Sequence, residues 1–212
     1  MKTRILREDY ELAEFGRRFA KRGNPVTLEY LRRSRVRGFF DKRGILFAGY
    51  ALNRSWPLRY LDWIPKAEQT KLPLDVTPGK CCEITCIWIH ARPGRLSSEV
   101  VYLQSVLDAL ASGAAFTLGG TIHSVVYGIQ SQALPRLLYT GPPACFPERP
   151  RCWVYGASRR QLLGWLGCRF PRDYVRALLG RPTYLCTARR RARLDAGVQS
   201  ARSRRPAKVS AA

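Results

Sequence analysis

The ten residues CCEITCIWIH, 81 to 90, constrain the fold more than any other stretch of the chain. Ile84, Thr85, Ile87, Trp88 and Ile89 are β-branched or aromatic, side chains that suit a pleated and packed surface. Read as a strand, the stretch places Cys82, Ile84, Cys86, Trp88 and His90 on one face and Cys81, Glu83, Thr85, Ile87 and Ile89 on the other. Both faces are mostly apolar, the pattern of a central strand covered on both sides. The same geometry removes a metal site. Residues four apart on a strand lie about 13 Å from one another. Zinc ligands converge at roughly 2.1 to 2.3 Å, so Cys82, Cys86 and His90 cannot share an ion. No C-x-x-C pair occurs in the chain, which weakens a redox reading. Glu83 is then the residue to explain, because a carboxylate within such a strand is costly to bury unless it is paired or has chemistry to perform.

The flanking segments predict an α/β layout. KTRIL (2–6) alternates as a short strand. REDYELAEFGRRFAKRG places Tyr10, Leu12, Phe15 and Phe19 on one side of a helix, with acids in the first turn and bases in the last. Thr27 can cap a second helix, LEYLRRSR. Two strands then meet at a tight turn, Asp41 to Gly44, the second running through GILFAGYALN. Residues 54–80 carry four prolines and no sustained period, so they predict a long loop with one helical turn, in which Trp56 and Trp63 can line a pocket. After the central strand, RPGRLSSE reads as a loop and VVYLQSVLDALASG as a helix that Gly113 stops. HSVVYGI (123–129) is expected as a strand, QALPRLLY as a short helix, RCWVYGAS (151–158) as a strand, and RRQLLGWLG and PRDYVRALLG as helices.

With 212 residues the chain is long enough for one packed domain, expected over residues 1–187. Residues 188–212, rich in Arg, Ser and Ala, have no apolar period and are expected to be a disordered basic tail. The seven cysteines and the absence of a signal-peptide pattern lead to the expectation of a cytoplasmic protein with reduced thiols. No run approaches the roughly 18 to 20 apolar residues of a membrane span. The formal charge is +22, and residues 187–212 hold eight Lys or Arg against one Asp, so +15 lies upstream of the tail. Such an excess suits a polyanionic partner. A soluble basic surface accounts for it equally well.

The order β-α-α-β-β-β-α-β-α-β, carried by GILFAGYALN, CEITCIWI, SVVYGIQSQALPRLLYTG and CWVYGAS, resembles the GNAT superfamily of N-acyltransferases. Within it the likeness is nearest to the acyl-homoserine-lactone synthase and N-acyl amino acid synthase branch. The resemblance implies a mixed, mostly antiparallel central sheet flanked by helices, in which the fourth and fifth strands splay apart. Backbone groups around Ile87 and Ile89 would then pair with the pantetheine arm of an acyl-CoA, acetyl-CoA or acyl carrier protein co-substrate, with no metal. The family's Arg/Gln-x-x-Gly-x-Gly/Ala phosphate loop corresponds to Arg92-Pro93-Gly94-Arg95-Leu96-Ser97-Ser98. Arg92, Gly94, Arg95, Ser97 and Ser98 offer charge, a flexible backbone and hydroxyls, but the second glycine is missing. An ordinary polar loop with a serine cap fits the same residues. By resemblance Glu83 would be the base that takes the ammonium proton and Tyr139 the acid that protonates the leaving thiolate, with His90 and His123 as alternative bases. The acceptor would be a small-molecule or peptide amine.

Two rivals remain open. Arginine clusters ARRRAR (188–193) and ARSRRPAK (201–208) could bind nucleic acid non-specifically, although no recognisable nucleic-acid-binding motif accompanies them. A catalytically inactive GNAT-like binding protein is equally compatible with the incomplete phosphate loop.

Overall fold

A computed structural model describes residues 1–21, 25–73, 76–90, 95–146, 148–169, 171–172 and 175. The chain begins with β1 (Lys2–Leu6), α1 (Asp9–Ala20) and α2 (Leu28–Arg32), followed by β2 (Arg35–Phe40) and β3 (Leu46–Asn53). Glu8 and Glu11 close a capping box at the start of α1, and the Thr27 hydroxyl accepts the Tyr30 N–H at 3.2 Å to start α2. Between β2 and β3 the Asp41 carboxylate accepts the N–H groups of Arg43 and Ile45, and Gly44 takes φ 75°. The expected loop follows, with one short helix, α3 (Lys66–Gln69). The central strand is β4 (Cys81–Ile89), and α4 (Arg95–Ala111) ends where Gly113 adopts φ 77°.

Downstream of α4 the structure corrects two expectations. The strand lies earlier than expected, as β5 (Phe116–Thr121), and HSVVYGI is instead the helix α5 (Ser124–Gln130). QALPRLLY is not a helix: Pro135 precedes the edge strand β6 (Arg136–Gly141). Then come β7 (Cys152–Ser158), α6 (Arg159–Gly164) and a π-helical turn, Trp165–Arg169. Most of PRDYVRALLG and all of the basic tail lie outside the described residues.

The seven strands form one sheet in the order β1-β2-β3-β4-β5-β7-β6. All its pairings are antiparallel except β4 with β5, which is parallel. One face is covered by α1 and α2, packing Phe15 and Leu31 on Val36, Ala51 and Trp88, and by the 54–80 loop, packing Leu58, Tyr60, Trp63 and Ile64 on Phe116, Leu118 and Val154. The other face is covered by α4, whose Val101, Val106 and Leu110 meet Tyr50, Cys82, Ile84 and Ala157. A buried ion pair fastens α4 to the sheet: Asp108 accepts Arg37 Nε at 2.8 Å and Tyr50 Oη at 2.7 Å. Burial alone would raise the Asp108 carboxyl, but these donors outweigh it and hold it below the ordinary Asp value. Among the described residues no helix is long and apolar enough to cross a membrane.

Candidate active site

The ladder between β4 and β5 is short. Cys81, Cys82 and Glu83 pair with Phe116, Thr117 and Leu118, and beyond Glu83 the register to β5 ends. On its other side β4 stays paired with β3 as far as Ile89, but through a bulge: Cys86 and Ile87 together oppose Tyr50. Cys86 adopts φ 54°, a left-handed conformation that costs a residue with a Cβ about 1 to 3 kcal/mol. The extra residue shifts the alternation expected for CCEITCIWIH. Thr85 and Cys86 point to the same face, their side chains 3.5 Å apart, and Cys86 and Trp88 pack with α1 while Ile87 and Ile89 pack under α4.

A cavity of about 100 Å³ occupies the opening beside this bulge. Thr85, Cys86 and Ile87 form its β4 wall, and Gly120, Thr121, Ile122 and His123 its β5 wall. Phe19, Arg59, Tyr60 and Trp63 close it from the α1 side, and Val126 and Gln130 of α5 from the other. Gly120 is required here, since a Cβ would stand 2.4 Å from Cδ1 of the Tyr60 ring. That ring is held by an edge-to-face contact with Trp63, centroids 4.9 Å apart. Arg59 donates from Nη1 to Cys86 Sγ at 3.4 Å and from Nη2 to Pro25 O at 3.2 Å. Burial pushes the Cys86 thiol up, and it pushes the Tyr60 phenol well above its ordinary range, so both stay protonated at neutral pH. His123, exposed at the start of α5, joins this wall to solvent.

Glu83 is placed next to this cavity in sequence but does not line it. It is 0% exposed, and four donors converge on its carboxylate. Oε1 accepts Tyr30 Oη at 2.6 Å, Arg59 N at 2.9 Å and Asn53 Nδ2 at 3.1 Å; Oε2 accepts Tyr60 N at 3.1 Å. Burial raises the Glu83 carboxyl above its ordinary value, and the four donors work against that rise. The carboxylate thus fixes the backbone at Arg59 and Tyr60, the two residues that carry the cavity's roof. The sequence signal, a carboxylate alone in an apolar strand, was sound; the two backbone N–H partners come from a loop with no period to reveal them.

Tyr139 does not sit on a helix after the fifth strand. It lies on β6, its hydroxyl donates to Pro142 O at 2.9 Å, and it is absent from the cavity wall. The tyrosine on the helix that follows β5 is Tyr127, stacked on Trp153 with centroids 5.5 Å apart. Ile87 reaches the cavity, whereas Ile89 packs under α4. Arg92 and Gly94 lie outside the described residues. Arg95 and Ser97 fall in the first turn of α4, with side chains outside them as well, and the Ser98 hydroxyl donates to Glu99 at 2.9 Å. Of the two tryptophans expected to line a pocket, Trp63 does so and Trp56 is 46% exposed. Among the described residues no three His, Cys, Asp or Glu side chains converge to hold a metal ion.

No family model matches the sequence, and no curated protein matches it. Solved structures do. FeeM, an N-acyl amino acid synthase from uncultured soil microbes, is 11% identical with a TM-score of 0.56, over 77% of this chain and 98% of that one. TofI in an apo form is 12% identical with a TM-score of 0.55, over 79% of this chain and 97% of that one. At such identities the likeness is one of fold: the chain has the mixed α/β fold of the GNAT acyltransferases.

Proposed function

We propose that the protein is an N-acyltransferase, carrying an acyl group from the thioester of acyl-CoA or of an acyl carrier protein to a small-molecule or peptide amine. The observation that carries this reading is the opening between β4 and β5, bounded by the bulge at Cys86 and holding a cavity whose walls come from both faces of the sheet. The likeness of fold to an N-acyl amino acid synthase supports an amine as acceptor. The amine nitrogen attacks the thioester carbonyl, the new C–N bond forms, the C–S bond breaks, and the thiol departs. The ammonium must first lose a proton. His123 takes this role, because it lines the cavity and reaches solvent, to which it returns the proton. Glu83, enclosed by four donors, acts instead as a positioning residue that holds Arg59 and Tyr60 in the wall. The second proton, which the nitrogen sheds as the amide forms, passes through water to the leaving thiolate, which departs as the thiol, so Tyr139 has no part in the step.

The test is formation of N-acyl product, followed by mass spectrometry, from acetyl- and long-chain acyl thioesters with a mixture of amines. His123→Gln should lower the rate by about 10² to 10⁴, the usual worth of a positioned base. An unchanged rate in His123→Gln removes that assignment. The enclosure of Glu83 also favours a second reading, a GNAT-fold protein that binds a thioester without turning it over. Stabilisation by thioester with no product from any amine would establish it.

A further inference from the structure

The cavity beside the bulge is small, and aromatic rings close it toward both faces of the sheet. Its volume is about 100 Å³. A dry cavity of about 150 Å³ holds benzene, with its six carbon atoms, so on that scale this one takes roughly four. Toward the face covered by the 54–80 loop, the stop is Tyr60. A Cβ on Gly120 would stand within 3.0 Å of Cγ, Cδ1 and Cε1 of its ring, so one edge of the ring lies directly on the β5 backbone. Behind it Trp63, 5% exposed, meets Tyr60 and Phe146 edge to face, at centroid distances of 4.9 and 6.3 Å. Leu58, Leu61 and Ile64 fill the same layer against Phe116 and Leu118. Toward the α4 face, Ile87 and three aromatic rings shut the opening. Tyr127 stacks on Trp153 and tilts against Tyr155, each at 5.5 Å between centroids, and the Tyr155 hydroxyl donates to Gln130 Oε1 in the cavity wall. A chain that enters between β4 and β5 therefore meets packed rings on either side.

We propose that Tyr60, backed by Trp63, sets the length of the transferred acyl group and limits it to about four carbons; the inference rests on the N-acyltransferase reading. His123 marks the solvent side of the cavity, so the carbons beyond the thioester carbonyl point inward, toward the Tyr60 ring. A longer chain requires that ring to leave Gly120. Three contacts oppose the movement: Trp63 stands against the ring, the Tyr60 N–H donates to Glu83 Oε2 at 3.1 Å, and the neighbouring Arg59 N–H donates to Glu83 Oε1 at 2.9 Å. Closely packed interiors transmit such a constraint, because a displaced ring has no void to enter. The buried carboxylate on β4 thereby gains a purpose in selectivity, since it anchors the segment that carries the stop.

The experiment measures kcat/KM of the full chain for acetyl-, butyryl-, octanoyl- and dodecanoyl-CoA with the same mixture of amines, and the calorimetric affinity for each donor. In the wild type, octanoyl- and dodecanoyl-CoA should fall at least about 100-fold below acetyl-CoA, since one methylene too many in an apolar pocket is worth about 10- to 200-fold. Tyr60→Leu, which takes the ring off Gly120, and Trp63→Leu, which opens the space behind it, should each raise the octanoyl-to-acetyl ratio at least about tenfold. That ratio is taken within one variant, so it does not depend on how much of the variant folds. Trp56→Leu, at a tryptophan 46% exposed and away from the cavity, should leave the ratio unchanged. A wild type that uses octanoyl-CoA as well as acetyl-CoA overturns the inference, as does a ratio unmoved in both Tyr60→Leu and Trp63→Leu. If donors bind but no product forms, the ratio of affinities decides by the same criteria. If the wild type neither binds nor turns over any of the four, the N-acyltransferase reading itself fails.

Discussion

At the scale of single residues, the buried carboxylates of Glu83 on β4 and Asp108 on α4 do different work. Glu83 is ringed by donors, so replacing one of its oxygens with an NH₂ group sets that amide against the Tyr60 N–H. Glu83→Gln should therefore destabilise the protein by about 1 to 3 kcal/mol, the cost of stranding a buried donor, as read from chemical denaturation. Well below the transition, its rate of N-acyl transfer should stay within about tenfold of wild type, against the far larger loss in His123→Gln. Equal losses in both variants would return the role of base to Glu83. Asp108 has a measurable pH signature. Its carboxyl is held below the ordinary Asp value of 3.8, so its contribution is present above that value and is lost as pH falls through the lowered one. Asp108→Asn should be less stable at neutral pH and lose less stability on going to acid; a variant whose acid limb parallels the wild type would contradict this. The importance of Glu83 was legible in its chemical isolation within CCEITCIWIH. Its partners were not, because Tyr30, Asn53, Arg59 and Tyr60 are brought to it only by the fold.

At the scale of elements, β4 and β5 make the site by parting company after three paired residues. Gly120 sits where they part, under the Tyr60 ring. Gly120→Ala puts a methyl group 2.4 Å from that ring, which Trp63 keeps from moving aside. Overpacking of this kind costs about 1 to 3 kcal/mol, and here it also narrows the cleft. Calorimetry should show thioester affinity reduced by at least about tenfold; undiminished thioester binding would mean that the acyl group lies elsewhere. This glycine also explains why β5 escaped sequence reading. FTLGGT has two glycines where a strand should show branched side chains, and Val125 and Val126 in the next segment imitate a strand that is in fact α5. QALPRLLY read as a short helix, but its Pro135 leads into β6, and the bulge at Cys86 interrupts an alternation that looked regular. Of the long helices α1 was read in place, whereas α4 begins at Arg95, five residues earlier than expected, so that RLSSE of the expected loop RPGRLSSE belongs to the helix.

For the whole molecule, one sheet with a single parallel pairing carries the cleft beside its central strand. The overall layout was legible because the hairpin at Asp41 to Gly44, the central strand and the helix after it each have strong local signals. The misplaced fifth and sixth strands did not disturb that likeness. The residues around the expected phosphate loop and the basic tail lie largely outside the described part of the chain, and +15 of the formal charge of +22 lies upstream of residue 187. The central claim is that the opening between β4 and β5 receives an acyl thioester. It is tested most directly by the thermal stability of the full chain in saturating acetyl- and long-chain acyl-pantetheine and acyl-CoA, alongside Gly120→Ala. At a hundredfold excess over the dissociation constant a bound thioester should stabilise the wild type by about 2.7 kcal/mol and the Gly120→Ala variant measurably less. No stabilisation of the wild type by any thioester would contradict the account.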